Sequence, residues 1–439
     1  MKYANWNNEL GNPEWFLHDR FGMFIHFGLF SLAARHEWLM TTEQISPEDY
    51  QKYFEHFNPE LIDMKTLAKT AKETGMKYAV LTTKHHEGFA LWDTDYSDYK
   101  ITNTQFKRDL VQEFIEAFRA EGIKIGLYHS LIDWHHEDFT IDGLHPQRDD
   151  EEYRKSNNTR KMEAYLDYLK NQVTELLTNY GKVDYFWFDF SYGHRDWEWS
   201  KGKGKNEWKS EEILDLVTKL QPDILVNDRL DLGLGVVTPE QYQPEKPLVK
   251  DGQPVIWEAC QAMKPTWGYD RDAKDWKSSE VLLKMLIETV SNNGNFLLNV
   301  GPNAKGELDK REESRLNDIG DWMKRNSKSL YGAGQSPFTV PKDCRYTQVG
   351  SNKLYLHIYS WPLRHIHLQG LAGRVQYAQF LHDHSQVFFR EFDPEEVITS
   401  TETHIDEDSV VLELPIEKPE VLVPVVEIFL KDGENEIKI

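Results

Sequence analysis

Along the first three quarters of the chain, short and almost uninterrupted apolar runs alternate with longer stretches in which apolar residues recur every three or four positions. The first pattern predicts strands buried on both faces, the second amphipathic helices packed over them. Phe21 to Phe30, FGMFIHFGLF, opens the series as a strand interrupted by His26. Met64, Leu67, Ala68 and Ala71 mark a helix stopped at Gly75, and Tyr78 to Thr82 is a strand running into Lys84, His85, His86 and Glu87. Leu110, Val111, Phe114, Ala117 and Phe118 form the next helix, stopped at Gly122, and Ile123 to Tyr128 the strand that delivers His129. A longer helix on Met162, Tyr165, Leu166, Leu169, Val173 and Leu176 feeds the run Val183 to Phe188, which ends at Asp189. Ile213, Leu216, Val217 and Leu220 give a helix closed by Pro222; Ile224 to Asn227 follow as a strand, with Asp228 and Arg229 beyond it. Val255 to Trp257 precede Glu258, Val281 to Val290 are helical, and Asn295 to Val300 form a strand ended by Gly301 and Pro302.

Seven strands alternating with helices over about 300 residues predict an α/β, (β/α)8-like (TIM-type) barrel rather than an open sheet. After a helical segment, Asp309 to Leu330, the texture changes at Tyr331 to Pro337. Short strand-like runs such as Lys353 to Tyr359 and Val387 to Phe392 then predict a small C-terminal antiparallel β-sandwich. The expected domains are 1–334, the catalytic barrel, and 335–439, the sandwich.

The polar residues are placed with a bias. His26, His85, His86, His129, Asp189, Arg229 and Glu258 each fall at or just past the carboxyl end of a predicted strand, the face where such barrels carry their chemistry. Asp189 stands in YFWFDFSY, Tyr185 to Tyr192, where an unpaired carboxylate costs several kcal/mol, on the order expected for a buried charge. A functional carboxylate accounts for that cost; the alternative is a structural carboxylate that pairs with an Arg or caps the next helix.

Composition narrows the partners. A formal charge of −22 argues against nucleic acid and anionic membranes, since phosphates are repelled. Aromatic residues at 13%, with 14 Trp and 20 Tyr, suit sugar faces, which stack on rings, although core packing takes a share. Cys260 and Cys344 are the only cysteines and show no CxxC spacing, so neither a disulfide framework nor a zinc site is expected. Neither a signal-peptide pattern nor an apolar run of 18 residues occurs, and the expectation is a cytoplasmic protein. The pairs His85–His86 and His135–His136 are not read as metal ligands: neighbours on a strand point to opposite faces, and no HExxH helix is present. No cofactor is expected. Arg271 and Asp272 read as a solvated ion pair, and the polar insertion Arg195 to Lys209, with Trp197, Trp199 and Trp208, as either a mobile lid or a surface loop.

Several His, an Arg and at least two carboxylates on one face suit a hydroxyl-rich ligand held by charge-assisted hydrogen bonds. A retaining glycosidase needs an ionised carboxylate as nucleophile and a second carboxyl group about 5 to 5.5 Å away as acid and then base. Asp189 is the candidate nucleophile. For the second group both Glu240, in TPEQY on the loop after the Arg229 strand, and Glu258, in WEAC, remain open.

Residues 12–334 resemble the glycoside hydrolase family 29 α-L-fucosidases. The resemblance is carried in order by WFLHDRFGMFIHFG, HEWLM, YAVLTTKHHEGFALWD, KRDLV, GIKIGLYHSLIDWH, WFDF, NDR, TPEQY, WEACQ, WGYDRD and NGNFLLNVGP. It implies a barrel followed by a β-sandwich, retention through a fucosyl-enzyme intermediate, and no metal. It places the nucleophile on Asp189 and fucose-binding histidines on His26, His85, His86 and His129, with Tyr128 beside the last. Glu37 and Trp38 match a sugar-contacting pair, Arg229 the family's arginine, and Trp267 an aromatic that faces the sugar methyl group. Many members have Gly after the nucleophile, where this chain has Phe190. The expected activity is that of an exo-α-L-fucosidase acting on glycosides or oligosaccharides. The alternatives are a glycosidase for other 6-deoxy or galacto-configured sugars, or a non-catalytic glycan-binding protein on the same fold. A homo-oligomer is left open.

Overall fold

The computed structural model describes residues 2–393 and 405–431. Segments 394–404 and 432–439 of the expected C-terminal domain lie outside the described residues.

Seven parallel strands form the inner sheet: β1 (Phe21–Ile25), β2 (Tyr78–Lys84), β3 (Lys124–Ser130), β4 (Tyr185–Asp189), β5 (Leu225–Val226), β6 (Glu258–Ala262) and β7 (Asn295–Val300). Their spatial order is β6-β7-β1-β2-β3-β4-β5. The gap between β5 and β6 is bridged by residues 236–240, which make isolated parallel bridges from Val236 to Asn227, from Val237 to Trp257 and from Glu240 to Cys260. Val237 N–H donates to the Ile256 carbonyl at 3.0 Å, and Glu258 N–H to the Val237 carbonyl at 2.8 Å. This irregular eighth stave closes a (β/α)8-like barrel, and Glu240 sits at its carboxyl end rather than out on a free loop.

The helices that alternate with these strands are α1 (Met64–Glu73), α2 (Leu110–Ala120), α3 (Met162–Thr178), α4 (Ser210–Leu220), α5 (Ser279–Ser291) and α6 (Lys310–Asn326). Four of them start on a side-chain cap, in which Asp63, Asp109, Ser278 and Asp309 accept from a backbone N–H of the first turn. Strand residues alternate between two cores. Phe24, Tyr78, Val80, Tyr128, Tyr185, Trp187, Cys260 and Leu297 cluster inside the barrel, whereas Phe186, Phe188, Leu127 and Leu298 face the helices. With both faces buried, the strands read as continuous apolar runs.

Strand boundaries shift two expectations. The first strand stops at Ile25, which leaves His26 on the connecting turn. The run Val255 to Trp257 lies before its strand and not in it, so Glu258 begins β6 and pairs with Asn295, the first residue of β7. Its expected place at a carboxyl end is corrected to the opposite end of the barrel.

Two antiparallel sheets follow the barrel. One has β8 (Cys344–Val349), β9 (Lys353–Ile358), β14 (Val425–Leu430) and β11 (Val375–Phe380) in that order; the other has β10 (His365–Leu368), β13 (Val410–Glu413) and β12 (Phe388–Glu391). Leu354, Leu356, Val426 and Ile428 of the first meet Ile366, Leu368, Val410 and Leu412 of the second in one apolar core, as a β-sandwich requires. The sandwich sits against α5 and α6: Trp322 Nε1 donates to the Val423 carbonyl at 2.7 Å, and Arg345 pairs with Glu288 at 2.5 Å.

Within the insertion, residues 196–201 form a short hairpin and Lys205–Trp208 a helical turn. Trp208 is fully buried, and Lys203 makes a buried ion pair with Asp142, which also accepts from Tyr192 OH at 2.7 Å. These contacts pin the insertion as a surface element. Arg271 and Asp272 form an exposed pair at 3.4 Å. Among the described residues, no helix is long and apolar enough to cross a membrane.

Candidate active site

A narrow pocket opens at the carboxyl ends of the strands. Phe24, Trp187 and Cys260, on strand positions facing the barrel axis, line its floor; His26, His85, Tyr128 and Asp189 line its walls, and Trp38, Phe190, Glu240 and Trp267 its rim. Among the described residues, none of the β-sandwich contributes to this lining.

Asp189 ends β4 on the inward face because the alternation Tyr185, Trp187, Asp189 puts it there. Tyr128 OH donates to its Oδ2 at 2.8 Å, and Arg229 Nη1 to its Oδ1 at 3.2 Å. Burial pushes the Asp189 carboxyl up to about 7, with Glu240 adding to the rise, against the opposing pull of Arg229 and Tyr128. Arg229 lies on the turn after β5, its guanidinium 5.0 Å over the Trp187 ring. Its Nε donates to Thr238 Oγ1 at 2.8 Å, and its Nη2 donates to Glu240 Oε2 at 3.0 Å. One guanidinium therefore spans the two carboxylates. Glu240 Oε1 accepts from Trp267 Nε1 at 3.0 Å, and the Glu240 side chain is 41% exposed at the pocket mouth.

The histidines are neutral acceptors. Ser130 OH donates to the Ile132 carbonyl at 2.7 Å, so its contact with His86 Nδ1 at 2.6 Å requires the proton on that nitrogen. His86 Nε2 is left as an unpartnered acceptor 3.7 Å from Asp189 Oδ2. By the same logic Asn299 Oδ1 takes the His26 Nδ1 proton at 2.7 Å, because its amide Nδ2 donates to the Trp267 carbonyl at 2.7 Å. Burial pushes both His26 and His86 down to about 3, and His85 well below its ordinary value. His85 and His86 lie beyond the last residue of β2, so strand alternation does not separate them: their rings are 4.2 Å apart on the same side. Among the described residues no cluster of His, Cys, Asp or Glu is arranged to hold a metal ion.

Of the expected residues outside the lining, His86 and Arg229 still reach Asp189, and three others lie elsewhere. His129 is on β3, one position past Tyr128, and the alternation turns it outward; Thr83 accepts its Nδ1 proton at 3.0 Å, and its ring packs against Trp92 and Phe186. Glu258 is completely buried at the base of the barrel and does not reach the pocket. Glu37 is also buried and outside the lining: its Oε2 accepts from the backbone N–H groups of Trp267 at 3.1 Å and Gly268 at 2.9 Å. Burial raises its pKa. It holds the loop that presents Trp267, whose ring stacks on His26 at 5.2 Å. Sequence reasoning missed Phe24, Trp187 and Asn299. The first two were findable, each standing two residues before a selected one: Phe24 on β1 before His26, which lies just past the strand, and Trp187 before Asp189 on the same face of β4.

Phe190 is unusual in its backbone. Its φ is 94°, in the left-handed region that a bulky residue rarely enters. Its ring meets Trp38 edge-on at 5.1 Å and His86 at 5.5 Å.

The sequence profile of the alpha-L-fucosidase family matches residues 2–328. The chain belongs to the α-L-fucosidase family. It is a glycoside hydrolase of that activity, and the relatives agree. It is 31% identical over 389 residues to the alpha-L-fucosidase of Dictyostelium discoideum, covering 80% of this chain and 78% of that one. With the plasma alpha-L-fucosidase of Homo sapiens it shares 31% identity over 384 residues, covering 80% and 76%. Among solved structures, alpha-L-fucosidase isoenzyme 1 from Paenibacillus thiaminolyticus superposes with a TM-score of 0.88 at 43% identity, over 96% of this chain and 99% of that one. An alpha-L-fucosidase from Bacteroides thetaiotaomicron, solved as a trapped covalent intermediate with 2-fluoro-fucosyl fluoride, gives 0.81 at 25% identity, over 98% and 100%.

Proposed function

We propose that the chain is a retaining exo-α-L-fucosidase working by double displacement, with Asp189 as nucleophile and Glu240 as acid and then base. The observation that carries the reading is the Arg229 guanidinium, hydrogen-bonded at once to Asp189 and to Glu240 across the pocket. It puts the two carboxylates a guanidinium's width and two hydrogen bonds apart, close enough for both to act on one anomeric centre. The covalent intermediate of the Bacteroides relative supports the same chemistry.

Asp189, ionised and aimed by Tyr128 and Arg229, attacks C1 as Glu240 protonates the departing oxygen. The bond from C1 to the leaving oxygen breaks as the bond to Asp189 forms. Glu240, now ionised, takes a proton from water, which attacks C1 and releases Asp189. Glu240 suits the part because it stands at the mouth, where the leaving group departs and water enters. His26 and His86 offer Nε2 lone pairs to sugar hydroxyls, which fits a neutral polyol rather than an anion. The ring of Trp267 beside Phe24 gives the 6-deoxy carbon an apolar wall.

Replacing Glu240 by Gln tests the assignment. Turnover of an unactivated fucosyl disaccharide falls by about 100- to 10,000-fold, while a dinitrophenyl fucoside, which needs no protonation, keeps most of its first-step rate. Azide restores turnover of the activated substrate and gives a fucosyl azide of retained configuration. Equal losses on both substrates with no azide effect contradict the role.

A further inference from the structure

At the base of the barrel, Tyr78, Tyr185 and Glu258 are the first residues of β2, β4 and β6, three separated staves whose side chains converge on the axis. Glu258 is 0% exposed. Its Oε2 accepts from Tyr78 OH at 2.5 Å; its Oε1 accepts from Tyr185 OH and from Trp187 Nε1, each at 3.3 Å. The Tyr78 ring reaches the axis only because β1 has Gly22 beside it: a Cβ there would stand 2.4 Å from the ring. Burying a carboxylate costs several kcal/mol, and three donors on one group are what an ionised acceptor at such depth requires.

The third donor links this layer to the pocket. Trp187 lies one turn of the pleat above Tyr185, and its indole is the floor on which the reacting groups rest. Arg229 sits 5.0 Å over the ring, Tyr128 stacks on it at 5.6 Å and 21°, and Phe24 packs at 5.3 Å. Arg229 and Tyr128 are the two donors to Asp189. The indole presents its face to both while its Nε1 donates downward to Glu258, so the bond at the base and the contacts at the floor share one ring orientation.

We propose that Glu258 is a positioning residue for the reaction: from the base of the barrel it fixes the Trp187 indole, and through it the Arg229 and Tyr128 groups that aim Asp189. The inference rests on the roles given to Asp189 and Glu240 above. It makes no use of Glu258 as an acid or base, since its carboxyl lies beneath the floor of the pocket. The burial that pushes Glu258 up to about 7 is offset in part by the Tyr78, Trp187 and Tyr185 donors.

Two variants are compared with wild type on dinitrophenyl and unactivated fucosides, with thermal melts recorded for each. Glu258→Gln keeps an acceptor for Trp187 and retains kcat within about 3-fold. Glu258→Leu orphans three buried donors and displaces the indole. It lowers kcat about 10- to 100-fold, the scale of an ångström of misplacement, equally on both leaving groups and with KM changed by less than about 3-fold. Azide does not restore it. A folded Glu258→Leu enzyme with wild-type kcat overturns the proposal in favour of a purely structural carboxylate, and rescue by azide overturns it in favour of an acid/base. Should Glu258→Leu fail to fold, Glu258→Met decides, because it keeps nearly the length and volume of glutamate while removing the acceptor for Trp187: kcat falls at least about 5-fold if the link matters, and unchanged kcat overturns the proposal. Failure of the underlying assignment looks different, as full activity in Asp189→Ala in the same assay.

Discussion

Loss of the Arg229 guanidinium should move the pH dependence of the enzyme in a direction fixed by charge. In Arg229→Met the packing over Trp187 is largely kept, but Asp189 Oδ1 loses a charge-assisted hydrogen bond of 3.2 Å. Such bonds are worth about 1.5 to 3 kcal/mol. At about 1.36 kcal/mol per pKa unit, the carboxyl rises by about 1 to 2 units. The sign follows from the cation having favoured the ionised form, so its removal favours the protonated one. Asp189 starts near 7, and the nucleophile must be ionised, so the acid limb of kcat/KM moves from about 7 to about 8 or 9. At pH 7 the ionised fraction drops about 5- to 50-fold, before any loss at the plateau. Rates on an aryl α-L-fucoside from pH 5 to 9 measure both. Arg229→Lys keeps the charge but lacks the planar fork whose two nitrogens hold Asp189 and Glu240, so its acid limb moves less while its plateau still falls. An acid limb in Arg229→Met within about 0.3 units of wild type would refute the claim that Arg229 governs the ionisation of Asp189.

Two other changes test parts of the frame. At Phe190, whose φ is 94°, Gly should be more stable than Ala by about 1 to 2 kcal/mol, the reverse of their usual order within a strand, because only a Cβ is strained there; urea melts of Phe190→Gly and Phe190→Ala measure the difference, and equal midpoints argue against the strain. Asp142→Ala should strand the buried Lys203 cation and cost about 3 to 5 kcal/mol, seen as a lower melting temperature and faster proteolysis within 190–209, whereas a mobile lid would leave the melt unchanged.

The sequence reveals most where one strand's own pattern decides the outcome. Asp189 is readable because a lone carboxylate ends an apolar strand, and His26 because it breaks one. The errors arise where register or distant partners decide. His129 and Tyr128 differ by one position, and which of them faces the axis depends on the pairing of β3 with β2 and β4, not on composition. Glu258 follows three apolar residues that resemble a strand but form its approach. The strand begins at the glutamate, and the Tyr78 and Tyr185 hydroxyls that donate to it come from more than 70 residues away. Alternation predicts opposite faces for His85 and His86, but both lie beyond the end of β2, where it no longer holds. Glu240 looked like a loop residue because its stave is held by isolated bridges too short and irregular to leave a period.

Covalent labelling tests the central claim most directly. Enzyme treated with 2-fluoro-fucosyl fluoride loses the anomeric fluoride and, once digested, should yield one modified peptide with the added 2-fluoro-fucosyl mass on Asp189, with labelling abolished in Asp189→Ala and activity lost in step with incorporation. Label on Glu240 or Glu258, or turnover inhibited without any covalent adduct, would contradict the account.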